Sequence, residues 1–503
     1  MAEIEKPTTR REFLELSAAA LTGLTFAPAT QSNAAAAPQA KGGPDLLSLT
    51  IADAAKKIAA KQLSPVELTR NTLARIEALN PKVGAFITVS ADQAMDAARK
   101  AEQEIMQGKY RGPLHGIPFG AKDTYYSQGI RTTAGSYVLR DFYPTFDATI
   151  IRRLKEAGAI LAGKTNLPEF SFGGVTPGCH NPWDLSRNSG GSSGGSGAAL
   201  AASMLIAATG GDTSGSIRNP ASTNGVVGIK PTFGLVSRYG VVPISWTLDH
   251  LGPLARTVED VAILLKAIAG PDPNDPFSAG VAAEDYPTLL RRSVRGLRVG
   301  VLSESEMKNF NADTKGAFLE AVNVLKGQGA QIHEVTFSEQ TKIAESAHGI
   351  IRICEAATYH RQYLRTQENE YRHIWAAEGT ASDTRTTVEA GLLLTGSQYL
   401  KAQQARKFFL QEIHRIYEPL DVFLDPTMPS PAGVPAPGAQ SFRNWFDLHG
   451  FPAVSVPCGF STNPPGLPIG LQISAKPFQD SLVLAVANAF QSATDWHKRR
   501  PSL

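Results

Sequence analysis

Two glycine- and serine-rich segments of the chain carry hydroxyl groups that could act as nucleophiles. The first spans residues 190–196, with the sequence Gly-Gly-Ser-Ser-Gly-Gly-Ser, and the second spans residues 211–218 and contains Ser216. A serine hydroxyl is a weak nucleophile at neutral pH, so it needs a nearby base and N–H donors for the oxyanion that forms on the substrate. Glycines allow the exposed backbone that supplies such donors. The two segments therefore indicate a serine hydrolase.

Lys122 is the candidate base for this chemistry. It lies in the apolar, glycine-flanked run of residues 116–124. A lysine acts as a base only where burial or neighbouring positive charge lowers its pKa enough to keep the amine neutral, and these flanks favour burial. Taken alone, Lys122 could equally be a surface lysine whose ammonium group reaches water.

These three segments together resemble the amidase signature family. The resemblance implies a Ser-cisSer-Lys triad in which Lys122 is the base, Ser192 is the bridging serine that follows a cis peptide bond, and Ser216 is the nucleophile. It extends over most of the chain after the N-terminus, through residues 228–232, 236–243, 248–260, 450–457 and 466–472. Residues 275–415 carry little that matches, and this is where the family's substrate pocket tends to vary.

The resemblance also implies an oxyanion hole formed by backbone N–H groups of Thr213, Ser214, Gly215 and Ser216. Ser214 stands where the family most often has glycine. A serine can still donate its backbone N–H, so this departure concerns the shape of the pocket more than the chemistry. Asp447 is a second departure, since it stands where an asparagine is usual.

Further residues receive supporting roles from the resemblance. Asp212 and Arg218 flank the nucleophile and could pair to brace its loop, although an ordinary salt bridge is the alternative. Ser193 could hydrogen-bond the lysine. The residues that could offer a backbone carbonyl to the scissile N–H of a substrate are Ser171, Gly173 and Gly174.

The glycine-rich tract also has features of three unrelated kinds of segment. Ser192 and Ser193 both match Gly-x-Ser-x-Gly, but a nucleophile elbow needs a preceding strand, and residues 180–188 indicate turn and loop. A phosphate-binding loop lacks its Gly-Lys-Ser/Thr ending, and a flexible linker would leave Lys122 and the second segment unexplained. The histidines lack the short paired spacings of zinc ligands, so we expect no metal. The hydrolase chemistry inferred above should need no cofactor.

The composition is that of a large globular protein. The chain has 503 residues, 42% of them hydrophobic, and a formal net charge of +3. Neither a basic run nor interleaved basic and aromatic residues point to nucleic acid. Alternating elements predict an α/β sandwich with a mostly buried sheet. The family resemblance implies the amidase signature fold, a large mixed twisted sheet covered by helices on both faces. The predicted elements are helices at 64–79, 149–157 and 314–326 and strands at 159–162, 297–302 and 331–336.

The first forty residues resemble a twin-arginine export signal. Arg10 and Arg11 precede Phe13 and an apolar, alanine-rich run to about Ala29, and small residues between 32 and 36 offer cleavage sites. The alternative is an amphipathic or disordered N-terminus with a chance Arg-Arg pair. The apolar run is too short to span a membrane, so we expect export to the periplasm or beyond rather than stable insertion.

The predicted organisation is a signal peptide at 1–40, cleaved at about 34–40, and a single amidase domain at 41–503. Within that domain the signature core spans about 110–270, the variable pocket region about 275–415, and the C-terminal part of the core about 416–495. We expect a stand-alone amidohydrolase, monomeric or homodimeric, that acts on small carboxylic amides, or on anilides, esters or carbamates. The alternatives are the glutamine-hydrolysing subunit of a tRNA-dependent amidotransferase and a catalytically silent binding protein. Activity should rise toward alkaline pH as Lys122 loses its proton.

Overall fold

The computed structural model describes Leu46 and residues 48–503, so the predicted export signal lies outside the described residues. The main sheet has eleven strands in the order β1-β3-β2-β6-β8-β7-β12-β13-β11-β9-β10 and mixes parallel with antiparallel pairs. This arrangement confirms the predicted α/β fold with a large mixed sheet. The strands, in chain order, are β1 (Phe86–Val89), β2 (Pro118–Lys122), β3 (Ile160–Thr165), β4 (His180–Asn181), β5 (Asp184–Asn188), β6 (Ala207–Asp212), β7 (Val227–Lys230), β8 (His250–Ala255), β9 (Arg298–Leu302), β10 (Gln331–Val335), β11 (Val422–Pro426), β12 (Ala453–Thr462) and β13 (Pro465–Ala475).

Helices fill most of the connections between these strands. Short 3-10 turns, such as Glu169–Ser171, occupy some of the remaining connections. The described α-helices are α1 (Ile51–Ala59), α2 (Pro65–Val83), α3 (Ala91–Met106), α4 (Thr149–Glu156), α5 (Gly194–Ala201), α6 (Arg218–Asn224), α7 (Val258–Ile268), α8 (Tyr286–Leu289), α9 (Ala312–Gly327), α10 (Ile343–Thr366), α11 (Asp383–Leu393), α12 (Gly396–Tyr417), α13 (Arg443–His449) and α14 (Asp480–Ser492). In the described part of the chain, no helix is long and apolar enough to cross a membrane.

The sheet is buried on both faces. Phe119 and Ala121 of β2 pack into one hydrophobic cluster, whereas Ala208 of β6 and Leu254 of β8 pack into another. Alternate residues of a strand point to opposite faces, so both faces of the sheet carry apolar side chains and both are covered.

Parallel pairing in the first half of the sheet sets the position of the candidate site. Strand β2 runs parallel to β3 and to β6, with Lys122 opposite Thr165 and Phe119 opposite Ala207. The carboxyl ends of neighbouring parallel strands lie at the same edge of a sheet. The last residue of β2 and the loop that follows β6 are therefore brought together.

Local signals predicted several elements closely. Ser64 caps α2 by accepting hydrogen bonds from the N–H groups of Val66 and Glu67, although the helix runs four residues beyond its predicted end, to Val83. The predicted helix at 149–157 is α4, and the predicted strand at 159–162 is the longer β3. The remaining predicted elements, two strands and a helix, match β9, β10 and α9 within one or two residues.

One local prediction is wrong. Residues 180–188 were predicted as turn and loop, but β4 and β5 form a two-stranded antiparallel hairpin, with His180 opposite Asn188. Proline and tryptophan between the strands occupy its tight turn, which is why the composition suggested a loop. The hairpin is separate from the main sheet, and Ser192 does not directly follow its second strand, so it does not form a nucleophile elbow.

Candidate active site

Lys122 is the last residue of β2, and only 2% of its surface is exposed. Its Nζ atom donates a hydrogen bond to Ser192 Oγ at 2.7 Å and reaches the carbonyl oxygen of Gly211 at 3.5 Å. Burial lowers the pKa of Lys122 to about 7, against the carboxylates of Asp212 and Asp249, which raise it. A large share of this amine is therefore neutral at neutral pH and able to accept a proton. The burial excludes the alternative of a surface lysine.

Ser192 lies in the loop between β5 and α5, and its side chain is fully buried. The peptide bond between Gly191 and Ser192 is cis. Gly191 packs so closely against a neighbouring segment that a Cβ atom there would lie 2.9 Å from the carbonyl carbon of Gly174. The side-chain amide of Asn219 donates to the Gly191 carbonyl at 3.1 Å. These contacts hold the backbone that presents the Ser192 hydroxyl to Lys122.

Ser216 lies between β6 and α6 and lines a cavity of about 350 Å³. The backbone N–H of Ser193 donates to the Ser216 carbonyl at 3.2 Å, which connects the two glycine-rich loops directly. The structure thus places Lys122, Ser192 and Ser216 at one edge of the sheet. Of these three residues, Ser216 is the one that lines the cavity.

The four predicted oxyanion donors fall into two groups. Thr213, Ser214 and Ser216 line the cavity, and their backbone N–H groups have no acceptor among the described residues. Gly215 differs, because its N–H donates to Asp212 Oδ1 at 2.5 Å and to Asp447 Oδ2 at 3.2 Å. The structure therefore corrects the prediction for Gly215, whose N–H turns inward to these side chains instead of remaining free for a substrate.

A buried charged network lies behind this loop. Arg218 donates to the two oxygens of Asp212 at 3.0 Å each and to Asp447 Oδ2 at 2.9 Å. Although burial opposes it, the Arg218 charge holds the pKa of Asp212 well below its usual range. Burial, together with the neighbouring Asp212 charge, raises the pKa of Asp447 well above its usual range. Arg218 therefore bonds to the side chains of both aspartates, and the three side chains brace the loop that carries Ser216.

Ser193 takes a different partner from the one predicted. Its hydroxyl donates to the carbonyl of Gly211 at 3.3 Å and accepts from the N–H of Gly211 at 3.2 Å, so its hydrogen bonds do not go to the Lys122 amine. The Gly211 carbonyl lies within reach of both side chains. Ser193 therefore acts on Lys122 only through the backbone that both of them contact.

The predicted substrate-binding residues Ser171, Gly173 and Gly174 line the same cavity as Ser216. Ser171 has a φ of +65° and Gly173 a φ of +131°, so the segment turns sharply beside the loops. The carbonyl of Gly174 accepts a long hydrogen bond, 3.4 Å, from the Asn219 side chain. The structure thus brings this segment to the cavity, where a backbone carbonyl lies close to the candidate nucleophile's loop.

Helix α10 forms a wall of the cavity that sequence reasoning missed. Its contribution comes from Glu345, His348, Gly349 and Arg352, which recur at the three- and four-residue spacing of one helical face. Helices α11 and α13 add Asp383, Thr387, Arg443 and Asn444. The signal was present as polar residues with helical periodicity within the stretch that the resemblance did not cover.

His348 connects that wall to the candidate oxyanion loop. Its Nε2 atom lies 2.7 Å from the carbonyl oxygen of Thr213 and 3.4 Å from Ser214 Oγ. Burial lowers the pKa of His348 to about 4, so the ring is neutral and Nε2 carries the proton donated to Thr213. On its other side the loop is held by Asp249, which accepts from the Thr213 hydroxyl at 2.6 Å.

Comparisons with known proteins agree on one family. The Amidase family matches residues 67–484. A glutamyl-tRNA(Gln) amidotransferase subunit from Desulfatibacillum aliphaticivorans is 40% identical to the chain, with 91% of this chain and all of that protein covered. Among solved structures, peptide amidase from Stenotrophomonas maltophilia superposes with a TM-score of 0.80 at 31% identity, covering 90% of this chain and 98% of that one.

A 6-aminohexanoate cyclic dimer hydrolase solved with its substrate also superposes with a TM-score of 0.80, at 29% identity, covering 91% of this chain and 99% of that one. These relatives span nearly the whole described fold, including the strands and loops that carry the candidate site. The chain therefore belongs to the amidase family, whose members hydrolyse amides.

Proposed function

We propose that this protein hydrolyses carboxylic amides through a triad of Lys122, Ser192 and Ser216 and an acyl-enzyme intermediate. The observation that carries the proposal is the 2.7 Å contact between the Lys122 amine and Ser192 Oγ. The amine has a pKa of about 7 because it is buried, and the Ser192 loop is bonded through its backbone to Ser216. A base, a relay hydroxyl and a nucleophile at the cavity are the parts that acyl transfer needs.

In the first half of the cycle, Ser216 Oγ attacks the amide carbon while its proton passes to Ser192 and the Ser192 proton passes to Lys122. The negative charge that develops on the carbonyl oxygen is held by the free N–H groups of Thr213, Ser214 and Ser216. Each donor of this kind is typically worth about 3 kcal/mol of barrier.

In the second half, the relay runs in reverse. The proton held by Lys122 returns through Ser192 to the nitrogen of the leaving amine as the carbon–nitrogen bond breaks, leaving an ester on Ser216. Water then attacks this ester with the same base and relay, which releases the acid and restores Ser216. The scheme uses only this chain's side chains and backbone, and anilides, esters and carbamates would follow the same steps.

A second candidate function is that of the amidase component in a tRNA-dependent amidotransferase. The observation that favours it is the 40% identity over the full length of a relative with that name. A protein of this kind would release ammonia from glutamine and deliver it to a partner protein. The two candidates share their chemistry and differ in substrate and in the need for a partner.

The primary proposal also includes export of the protein and hydrolysis of amides without a partner protein. Export is supported by the order of Arg10, Arg11, Phe13 and the alanine-rich run, and a cytoplasmic tRNA-charging role would not need such a signal. Replacing Arg10 and Arg11 by lysine should retain the protein in the cytoplasm, as measured by fractionation of a host that has twin-arginine transport. Unchanged fractionation would contradict export without affecting the proposed chemistry.

The test of the activity is amine or ammonia release by the purified chain alone from aliphatic, aryl and carbamate amides and from glutamine. The variant Ser216→Ala should lose turnover of every substrate, and Ser397→Ala, at an exposed serine on α12, serves as the matched control. Turnover that survives Ser216→Ala would contradict the triad. Hydrolysis of glutamine alone, stimulated by amidotransferase partner proteins, would favour the second candidate.

A further inference from the structure

The helical wall of the cavity contains a guanidinium group without a protein partner. Arg352 of α10 lines the same cavity as Ser216 and is half-buried. Among the described residues it makes neither a hydrogen bond nor an ion pair, and its contact is with the ring of Phe172, whose centroid lies 5.4 Å from the guanidinium carbon. This face of the ring supports the cation from one side and leaves its N–H edges free.

Two other shielded arginines of this protein have oxygen acceptors within the chain. Arg218 is paired with Asp212 and Asp447, and Arg406 donates to the carbonyls of Leu448 and Thr247. A guanidinium has five N–H donors, and taking it partly out of water without acceptors is costly. Arg352 has no such acceptor among the residues that the structure describes, and Arg443 of the same cavity bonds to a sulfur atom, Met428 Sδ, at 3.8 Å, so this wall points to an acceptor that arrives with the ligand.

The acidic group whose charge acts on Arg352 does not fill this role. Glu345 lies two turns before Arg352 on the same helical face. Burial lowers the pKa of Arg352, and the negative charge of Glu345 opposes this shift. The Glu345 carboxylate, however, accepts a hydrogen bond from Asn444 at 2.8 Å and forms no ion pair with Arg352 in the described part of the chain. Glu345 thus favours the charged form of Arg352 while leaving its donors unoccupied.

The geometry points to a carboxylate on the substrate as the group that Arg352 binds. We propose, resting on the proposed amidase function, that the preferred substrates are amides that also carry a free carboxylate group. The planar guanidinium fork matches a carboxylate with two parallel hydrogen bonds, which fixes both the position and the orientation of the bound molecule. Because Arg352 and Ser216 line one cavity, such a substrate would place its amide at the nucleophile while its carboxylate is held by α10.

The test compares amides that differ only at the far end. Succinamate, glutaramate and adipamate carry a carboxylate where butyramide, valeramide and hexanamide carry a methyl group. We expect the full chain to prefer at least one acid amide over its matched neutral amide. The variant Arg352→Gln should lower kcat/KM for that acid amide by about ten- to a hundredfold, mainly through KM, because charge-assisted hydrogen bonds are lost. The matched neutral amide should change less than threefold.

Two further variants make the result specific. Arg352→Lys keeps the charge but not the fork, so it should recover only part of the preference. Arg361→Gln removes an exposed arginine from the same helix and should leave both substrate series unchanged. An equal loss for acid and neutral amides in Arg352→Gln, or no preference in the unaltered protein, would overturn the proposal.

Failure of this inference can be told apart from failure of the proposed function. If neutral amides are hydrolysed by a Ser216-dependent route and acid amides show no advantage, the amidase function stands and the carboxylate subsite is wrong. If neither series is hydrolysed, calorimetric binding of the same acid amides decides. Binding that Arg352→Gln abolishes supports the subsite, and the absence of binding to the unaltered protein overturns it.

Discussion

The cavity has two walls that are built in different ways. The loop wall, formed by residues 171–174, Gly191, Thr213, Ser214 and Ser216, is held by backbone hydrogen bonds and by close backbone packing at Gly191. The helical wall, formed by Glu345, His348, Gly349 and Arg352 of α10, presents side chains, and a Cβ atom added at Gly349 would meet no atom within 4 Å. The loop wall thus fixes the reacting groups, while the side chains of the helical wall, apart from His348, form no hydrogen bond with these loops in the described part of the chain. The difference suggests that chemistry and selectivity are separable here.

The largest effect should follow from removing the base of the loop wall. Lys122→Met keeps the length and apolar stem of the side chain but cannot accept a proton, so kcat should fall by about a thousandfold or more.

In the unaltered protein, kcat/KM should rise with pH through about 7, because the buried Lys122 amine is active only when neutral. Stopped-time assays of ammonia release, over a pH range on both sides of 7, measure this pH profile and the kcat of Lys122→Met. A flat profile, in a range where product release is not limiting, would contradict Lys122 as the base.

A matched pair of glycine substitutions compares the two walls directly. Gly191→Ala would place a Cβ atom 2.9 Å from Gly174 and 3.0 Å from the backbone nitrogen of Val175, so it should destabilise the protein by about 1–3 kcal/mol and reduce activity by displacing Ser192. Gly349→Ala should stabilise it by about 1 kcal/mol, because alanine favours the helix and finds open space. Urea denaturation measures both changes. Equal destabilisation by the two variants would erase the proposed difference between the walls.

A moderate effect is expected where the walls meet, at His348. His348→Ala removes the N–H that donates to the Thr213 carbonyl, and kcat should fall by about tenfold with little change in KM. His348→Gln retains a donor and should recover part of the loss. Since burial lowers the pKa of His348 to about 4, the rise in activity near pH 7 should remain in both variants. A shift of that rise would show that His348 acts on the proton relay rather than on the position of the loop.

The smallest effect should come from Asp447→Asn, which introduces the residue usual in the family. Burial raises the pKa of Asp447 well above its usual range, which disfavours the charged form, and the asparagine oxygen can still accept from Arg218 and from the N–H of Gly215. Amide hydrolysis should stay within about threefold of the unaltered protein. Asp212→Asn is the comparison, and it should cost at least about tenfold because Asp212 carries the charge paired with Arg218. A large loss in Asp447→Asn would mean that Asp447 works as a carboxylate.

Sequence reasoning was most successful where a local pattern had a local cause. The helices predicted at 64–79 and 149–157 and the strand predicted at 159–162 each depend on a few neighbouring residues, and each of these elements is present. The hairpin of β4 and β5 was missed, because its pairing joins residues whose composition favours a loop. The catalytic roles of Lys122, Ser192 and Ser216 remain predictions, now supported by their shared position.

The sequence by itself determined the fold class, the amidase family and the candidate residues of the two glycine-rich loops. These features follow from motif spacing and hydrophobic pattern, which depend on residues that are close together in the chain. Only the tertiary structure decided three other things. It buries Lys122 enough to lower its pKa to about 7, it turns the Gly215 N–H inward to Asp212 and Asp447, and it places α10 across the cavity. The physical reason is that desolvation, hydrogen-bond partners and cavity walls depend on groups far apart in the chain. Their contacts exist only once the sheet has brought the carboxyl ends of β2 and β6 together.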